Sequence, residues 1–187
     1  MATQSAIDAL IDKQAITELI YHLARSIDRC DAVLLKSLFH PDATDDHGSF
    51  QGTAVDFIPW VMGVLGTMTR TQHVIGNVLI ELDGDSAASE TYFVAHHVIP
   101  PKAETKDGAE VLMLAAGRYL DRFERRDGQW KFSHRHAVYD WSSTAPATDI
   151  WNRADPGVTV FGARGTADAS YANHPVPRPA PALQHAH

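Results

Sequence analysis

The stretch TRTQHVIGNVLIELDGD, residues 69–85, is where the chain changes its period. Val74, Val78, Ile80 and Leu82 fall on one parity, and His73, Ile75, Asn77, Leu79 and Glu81 on the other. Because successive side chains of a strand point to opposite sides, this reads as a strand, His73 to Leu82, with one wholly apolar face and an Asp-Gly turn at its end. Three further runs of the same kind follow: Ser89 to Ile99, Val111 to Arg125 and Gln129 to Trp141. Asp127-Gly128 lies between the last two and suits a type I′ hairpin turn, in which both central residues take positive φ.

Upstream of residue 69 the period is helical. Ile7, Leu10, Ile11, Leu19, Ile20, Leu23 and Ile27 recur at three- and four-residue steps, Ser5 with Asp8 resembles a capping box, and the helix is expected to end near Asp28. DAVLLKSLF (residues 31–39) reads as a short helix, and HPDATDDHGSFQG (residues 40–52), rich in turn formers, as a loop. Thr53 and Asp56 cap a third helix, in which Pro59 is either a first-turn residue or a kink. Helices first and antiparallel strands after is an α+β order, with helices covering one face of a curved sheet.

Composition narrows the function classes. At 187 residues and 44% hydrophobic content the chain suits one domain with a sizeable core. A net charge of -7 argues against nucleic acid and anionic membranes as partners, since both reward a basic surface. Cys30 is the only cysteine, which leaves no disulfide framework and no thiolate metal cage. No basic leader and no long apolar run is visible, so a cytoplasmic protein is expected. The pattern fades near residue 144. The division expected is therefore a domain over 1–143 and an extension over 144–187, whose last part, HPVPRPAPALQHAH, is a proline-rich tail.

Four segments together carry a resemblance: AITELIYHLARSIDRCD (15–31), LFHPDATDDHGSFQG (38–52), TQHVIGNVLIEL (71–82) and RYLDRFERRDGQWKFSHR (118–135). Over roughly residues 6–141 the chain resembles the SnoaL-like branch of the NTF2-like superfamily. The resemblance implies a cone-shaped α+β half-barrel, its curved, mostly antiparallel sheet wrapped around three N-terminal helices and an apolar pocket. Such folds carry cofactor-free dehydratases, isomerases, cyclases and hydrolases, and also members without catalysis. The motifs are most similar to those of hexachlorocyclohexane dehydrochlorinase and, at more distance, of scytalone dehydratase and bile-acid 7α-dehydratase. By that likeness Asp28 and His73 correspond to a catalytic Asp-His pair, and Arg135 to an arginine following the final hairpin. One position departs: Leu23 stands where the dehydrochlorinase has a lysine, which speaks against halide elimination.

The chemistry suits these residue types. A neutral imidazole, with an unperturbed pKa of about 6.5, is a fitting base for a proton on carbon. An aspartate on its other nitrogen fixes the tautomer and stabilises the imidazolium that forms. Strict alternation leaves open whether His73 meets a pocket or water. On the next strand Tyr92, Val94 and His96 share one face and Phe93, Ala95 and His97 the other; by likeness to scytalone dehydratase, His96 is the candidate to protonate a leaving hydroxyl. Arg135 has the parity opposite to Trp130 and Phe132, so it reaches the pocket only if the last strand is bulged. Tyr21, Trp60, Tyr92, Val94 and Tyr119 are candidate substrate contacts. His134 and His136 share a face, but no two-His-carboxylate spacing recommends a metal.

The function expected is a cofactor-independent lyase of dehydratase type, acting on a small, largely apolar cyclic or aromatic molecule through the Asp28-His73 pair. Retro-aldol C–C cleavage or isomerisation would use the same base. The rival is a non-catalytic subunit resembling the β-subunits of ring-hydroxylating dioxygenases. Apolar residues on both parities of the long strands also suggest a homodimer or homotrimer.

Overall fold

The computed structural model describes residues 4–101 and 109–173; the proline-rich tail lies outside them. Helix α1 (Gln4–Arg29) buries Ile16, Ile20, Leu23, Ala24 and Ile27, the helical stripe of its second half. Ile7, Leu10 and Ile11 continue that stripe but are exposed. Where the helix stops is fixed locally. Cys30 takes the left-handed φ of 50°, its N–H donates to the Ile27 carbonyl, and the Asp31 N–H reaches back to Ser26 at 2.8 Å. This is a Schellman ending. It leaves Asp28 in the last turn.

Asp31 then caps α2 (Ala32–Ser37) by accepting from the Leu34 N–H at 2.9 Å. Thr53 caps α3 (Ala54–Gly66) in the same way, accepting from the Asp56 N–H. Pro59 is the sixth residue of α3, beyond the first turn, where it removes the N–H that the Val55 carbonyl would otherwise meet.

The turn-rich segment expected to be a loop instead supplies β1 (Phe39–Asp46) and β2 (Gln51–Thr53). Their pairing is not local. β1 lies parallel to β6 (Gln129–Pro146), with Phe39 beside Phe132 and Thr44 beside His134, and the register shift between those pairs accommodates Pro41. With β3 (Arg70–Asp83), β4 (Ser86–Ile99) and β5 (Val111–Arg126) the strands form one six-stranded sheet in the order β2-β1-β6-β5-β4-β3. The β1-β6 pair alone is parallel. Asp127 and Gly128 both have positive φ in the β5-β6 turn, as a type I′ turn requires. This α+β sheet curls around the helices as a cone-shaped half-barrel.

Three bulges break the simple alternation. On β3, Gly76 and Asn77 together oppose Tyr92, so the parity reverses: His73 and Ile75 face inward, and so do Val78, Ile80 and Leu82. Val74 and Leu79 are turned outward and exposed, against the strict alternation read from the sequence. On β6, Ser133 and Asp140 are the extra residues. One end of the core is filled by α1, α2 and α3 against Phe39, Phe123 and Phe132, with ring centres 4.6 and 5.1 Å apart. Toward the other end the side chains thin out to Phe93, Ala95, Tyr119 and Ala137, leaving space.

Gly117 sits at the Asp140 bulge, and a Cβ there would stand 2.0 Å from the Val138 carbonyl oxygen and 3.0 Å from the Tyr139 Cα. Backbone cannot swing aside. Overpacking of this kind costs about 1–3 kcal/mol, so Gly117→Ala is expected to lower stability by that amount or more in urea titration. Gly63→Ala is the control: it meets nothing within 4 Å on α3 and is expected to be neutral or stabilising by about 0.5–1 kcal/mol.

Candidate active site

Asp28 and His73 meet where the end of α1 lies against the start of β3. His73 Nδ1–H donates to Asp28 Oδ1 at 2.8 Å, and the His73 backbone N–H donates to Oδ2 at 2.8 Å. Both carboxylate oxygens are thus used by one residue, which fixes ring and backbone together. The bond assigns the proton to Nδ1. Nε2 has no partner among the described residues, and the ring lines a cavity. Burial of Asp28 pushes its pKa up, but the ring and backbone hydrogen bonds from His73, with the electrostatic pull of that imidazole, outweigh this, and the carboxyl ends below its ordinary value.

The cavity holds about 520 Å³ between α3 and the inner face of the sheet. Trp60, Val64, Phe93, Met113 and Tyr119 give it an apolar wall; Phe93 and Tyr119 stack with ring centres 4.2 Å apart. Its polar lining includes His73, His97, His47 and Tyr139, with Ser49, Asp140 and Ser142. His97 stands edge-on to His73 at 5.3 Å, and its Nδ1 is buried with no partner. Burial, then the neighbouring His73 imidazole, bring its pKa down to about 4, so it is neutral at physiological pH.

The structure separates the residues proposed from sequence. Trp60 and Tyr119 line the cavity. Arg135 is turned inward by the Ser133 bulge and fully buried, where Nε and a terminal nitrogen donate to the two oxygens of Asp121 at 2.8 and 2.7 Å. Those bonds and the Asp121 charge outweigh burial and hold the guanidinium protonated, with its pKa raised. It lies 4.1 Å from the Tyr119 ring centre, so it touches the cavity only through that ring. His96, Tyr92 and Val94 are on the outer face of β4. The pairing with β3 puts Phe93, Ala95 and His97 inside, so the inner histidine is the neighbour of the one chosen. Tyr21 is also outside, 51% exposed, a quarter-turn off the buried stripe of α1. His136 is exposed on the outer face and His134 bonds Thr44. Among the described residues no group of three or more His, Cys, Asp or Glu is placed to hold a metal.

Sequence reasoning missed His47, Tyr139 and Arg164. His47 sits in the β1-β2 turn, which had no recognisable period, and Tyr139 near the end of β6. Arg164 comes from residues 161–173, which fold back over the end of α1. One of its terminal nitrogens donates to the Asp28 carbonyl at 2.6 Å and to Thr71 Oγ1 at 2.8 Å. Arg29 pairs with Asp168 at 2.8 Å, and the Tyr171 hydroxyl donates to Asp31. The extension thus braces both elements that carry the pair.

Residues 8–136 match the SnoaL-like domain family. An uncharacterised Mycobacterium tuberculosis protein, Rv2910c, is 28% identical over 127 residues, covering 66% of this chain and 82% of the relative. Among solved structures, a candidate scytalone dehydratase from Novosphingobium aromaticivorans is similar, with a TM-score of 0.61 and 21% identity, over 72% of this chain and 88% of that one. The hexachlorocyclohexane dehydrochlorinase LinA-type3 from Novosphingobium barchaimii has a TM-score of 0.60 and 21% identity, over 77% and 95% of the two chains. The order of elements, the half-barrel and the match over most of its length place the chain in the SnoaL-like family, to which it belongs.

Proposed function

We propose that the protein is a cofactor-independent lyase that eliminates water from a small, largely apolar cyclic or aromatic substrate. His73 is the base and Asp28 its orienter. The observation that carries this reading is the doubly bonded Asp28: its two bonds leave His73 with one free nitrogen beside an apolar cavity. A carboxylate at a helix C-terminus is mildly unfavourable to the helix dipole. Spending both of its oxygens on one histidine gives the position a chemical purpose. The same bond weighs against a purely structural subunit, for which a filled core with the two residues apart would serve. Leu23 is packed in the core, in keeping with loss of water rather than halide. Retro-aldol cleavage and isomerisation would draw on the same base. In this reading Arg135 is a positioning residue that fixes Tyr119 from behind.

A benzisoxazole tests the base without knowledge of the natural substrate, because its ring opens when a base removes the proton on carbon. With 5-nitrobenzisoxazole we expect turnover by the parent protein, and a fall of about 10²- to 10⁴-fold in His73→Ala. Asp28→Asn should lose rate by orders of magnitude with KM nearly unchanged, since the loss lies in the transition state. Circular dichroism should be unaltered in both. Retention of more than about a tenth of the rate by His73→Ala would remove it as the base. Full activity in His73→Gln with none in Asp28→Asn would make Asp28 the base.

The protein is further proposed to be a homodimer or homotrimer. Val74, Leu79 and Tyr92 are exposed together on the outer face of β3 and β4, an apolar surface that a second copy would cover. Light scattering is expected to give a dimer or trimer that Leu79→Lys dissociates. A monomer across a wide concentration range would contradict this.

A further inference from the structure

The cavity contains a second imidazole held in the manner of the first. His47 Nδ1 and Asp45 Oδ1 are 3.2 Å apart, and His47 lines the same cavity as His73. The two histidines come from opposite margins of the sheet. His73 is on the edge strand β3, and His47 is in the turn between β1 and β2 at the other edge. Curling of the sheet brings both edges to one cavity, with β4, β5 and β6 between them.

The turn itself fixes His47. Its N–H donates to the Phe50 carbonyl at 2.8 Å, and Gly48 takes a φ of 73° that a side chain would resist. The imidazole is 14% exposed and enclosed by Phe57, Trp60, Tyr119 and Tyr139, with ring centres 5.3 to 6.3 Å away. Packing alone would account for a histidine among aromatic rings. It would not account for what lies behind it. Asp45 is buried, its Oδ2 has no partner, and Arg135, whose remaining terminal nitrogen also has none, is already engaged by Asp121. The His47 ring is therefore the side-chain partner that the buried Asp45 carboxylate has among the described residues, and it is held from behind as Asp28 holds His73.

We propose that His47, held by Asp45, is the general acid of the reaction, delivering a proton to the departing oxygen while His73 removes the proton on carbon. The proposal rests on the lyase reading and assigns the half of the chemistry that His73 leaves open. His96 is on the wrong face for it. His97 is inside, but burial brings its pKa down to about 4, so at neutral pH it is a neutral imidazole and a poor acid. In the dehydration, His73 Nε2 takes the proton as the C–H bond breaks. Its electron pair forms the C=C bond, the C–O bond breaks, and the Nε2 proton of imidazolium His47 joins the departing hydroxide as water. One imidazole gains the proton that the other loses, and solvent restores both.

A series of benzisoxazoles with leaving phenolates of different basicity separates acid from base. A good leaving group needs no proton, and a poor one does. His47→Gln is expected to slow unsubstituted benzisoxazole at least about tenfold more than the 5-nitro compound, steepening the dependence on leaving-group pKa. Equal loss across the series, or none, would overturn the proposal. His73→Ala should slow every member alike; if it slows none, the lyase reading itself fails. The parent protein gives an independent measure should His47→Gln not fold. The proton taken by His73 comes from carbon and does not exchange, so a solvent deuterium effect reports the acid. That effect is expected to grow as the leaving group worsens, and a constant effect would contradict the assignment.

Discussion

Two hydrogen bonds to one carboxylate tie together two elements that border the cavity. Asp28 closes α1, and by accepting from both the ring and the backbone N–H of His73 it pins the helix to the first residues of β3. The same contact fixes a tautomer, a ring orientation and the packing of a helix on a strand. Its surroundings reinforce it. The Schellman ending at Cys30 stops the helix at Arg29, one residue after Asp28. Arg164 takes the Asp28 carbonyl from the far side and ties it to Thr71, two residues before His73. Charge-assisted bonds of this kind are stronger than neutral ones and need low mobility around them to act as a site.

Much of the frame was legible in the sequence, for physical reasons. Helical and strand periods are local, and the long elements α1, α3, β3, β4, β5 and β6 emerge within a few residues of where helical spacing, capping residues and alternation placed them. What escaped was non-local. β1 and β2 have no hydrophobic period of their own; they are strands because β6 offers β1 a parallel partner 90 residues later at Thr44 and His134. Bulges escaped for the same reason. Nothing between Ile75 and Val78 announces that two residues will oppose one, yet that single insertion turns both His73 and the apolar set Val78, Ile80 and Leu82 to the inside.

The site divides along the same line. Asp28 and His73 stand in separate motifs, and the resemblance singled them out before any contact was visible. Arg135 needed a bulge to turn inward, and Ser133 supplies one, although the arginine ends beneath Tyr119 and not at the cavity wall. His96 and His97 are adjacent, so parity could say that one faces in but not which. His47 lay in a segment taken for a loop. Residues 161–173 lie beyond the family match at 8–136, and their role against α1 follows only from long-range contacts.

The most direct test of the account is the protonation of the His73 ring, read from side-chain ¹⁵N shifts in long-range ¹H–¹⁵N correlation spectra at neutral pH. Nδ1 should be the protonated nitrogen and Nε2 the bare one, in a single fixed tautomer that Asp28→Asn releases. A His73 protonated on Nε2, or averaging between the two tautomers in the parent protein, would contradict an aspartate-held base.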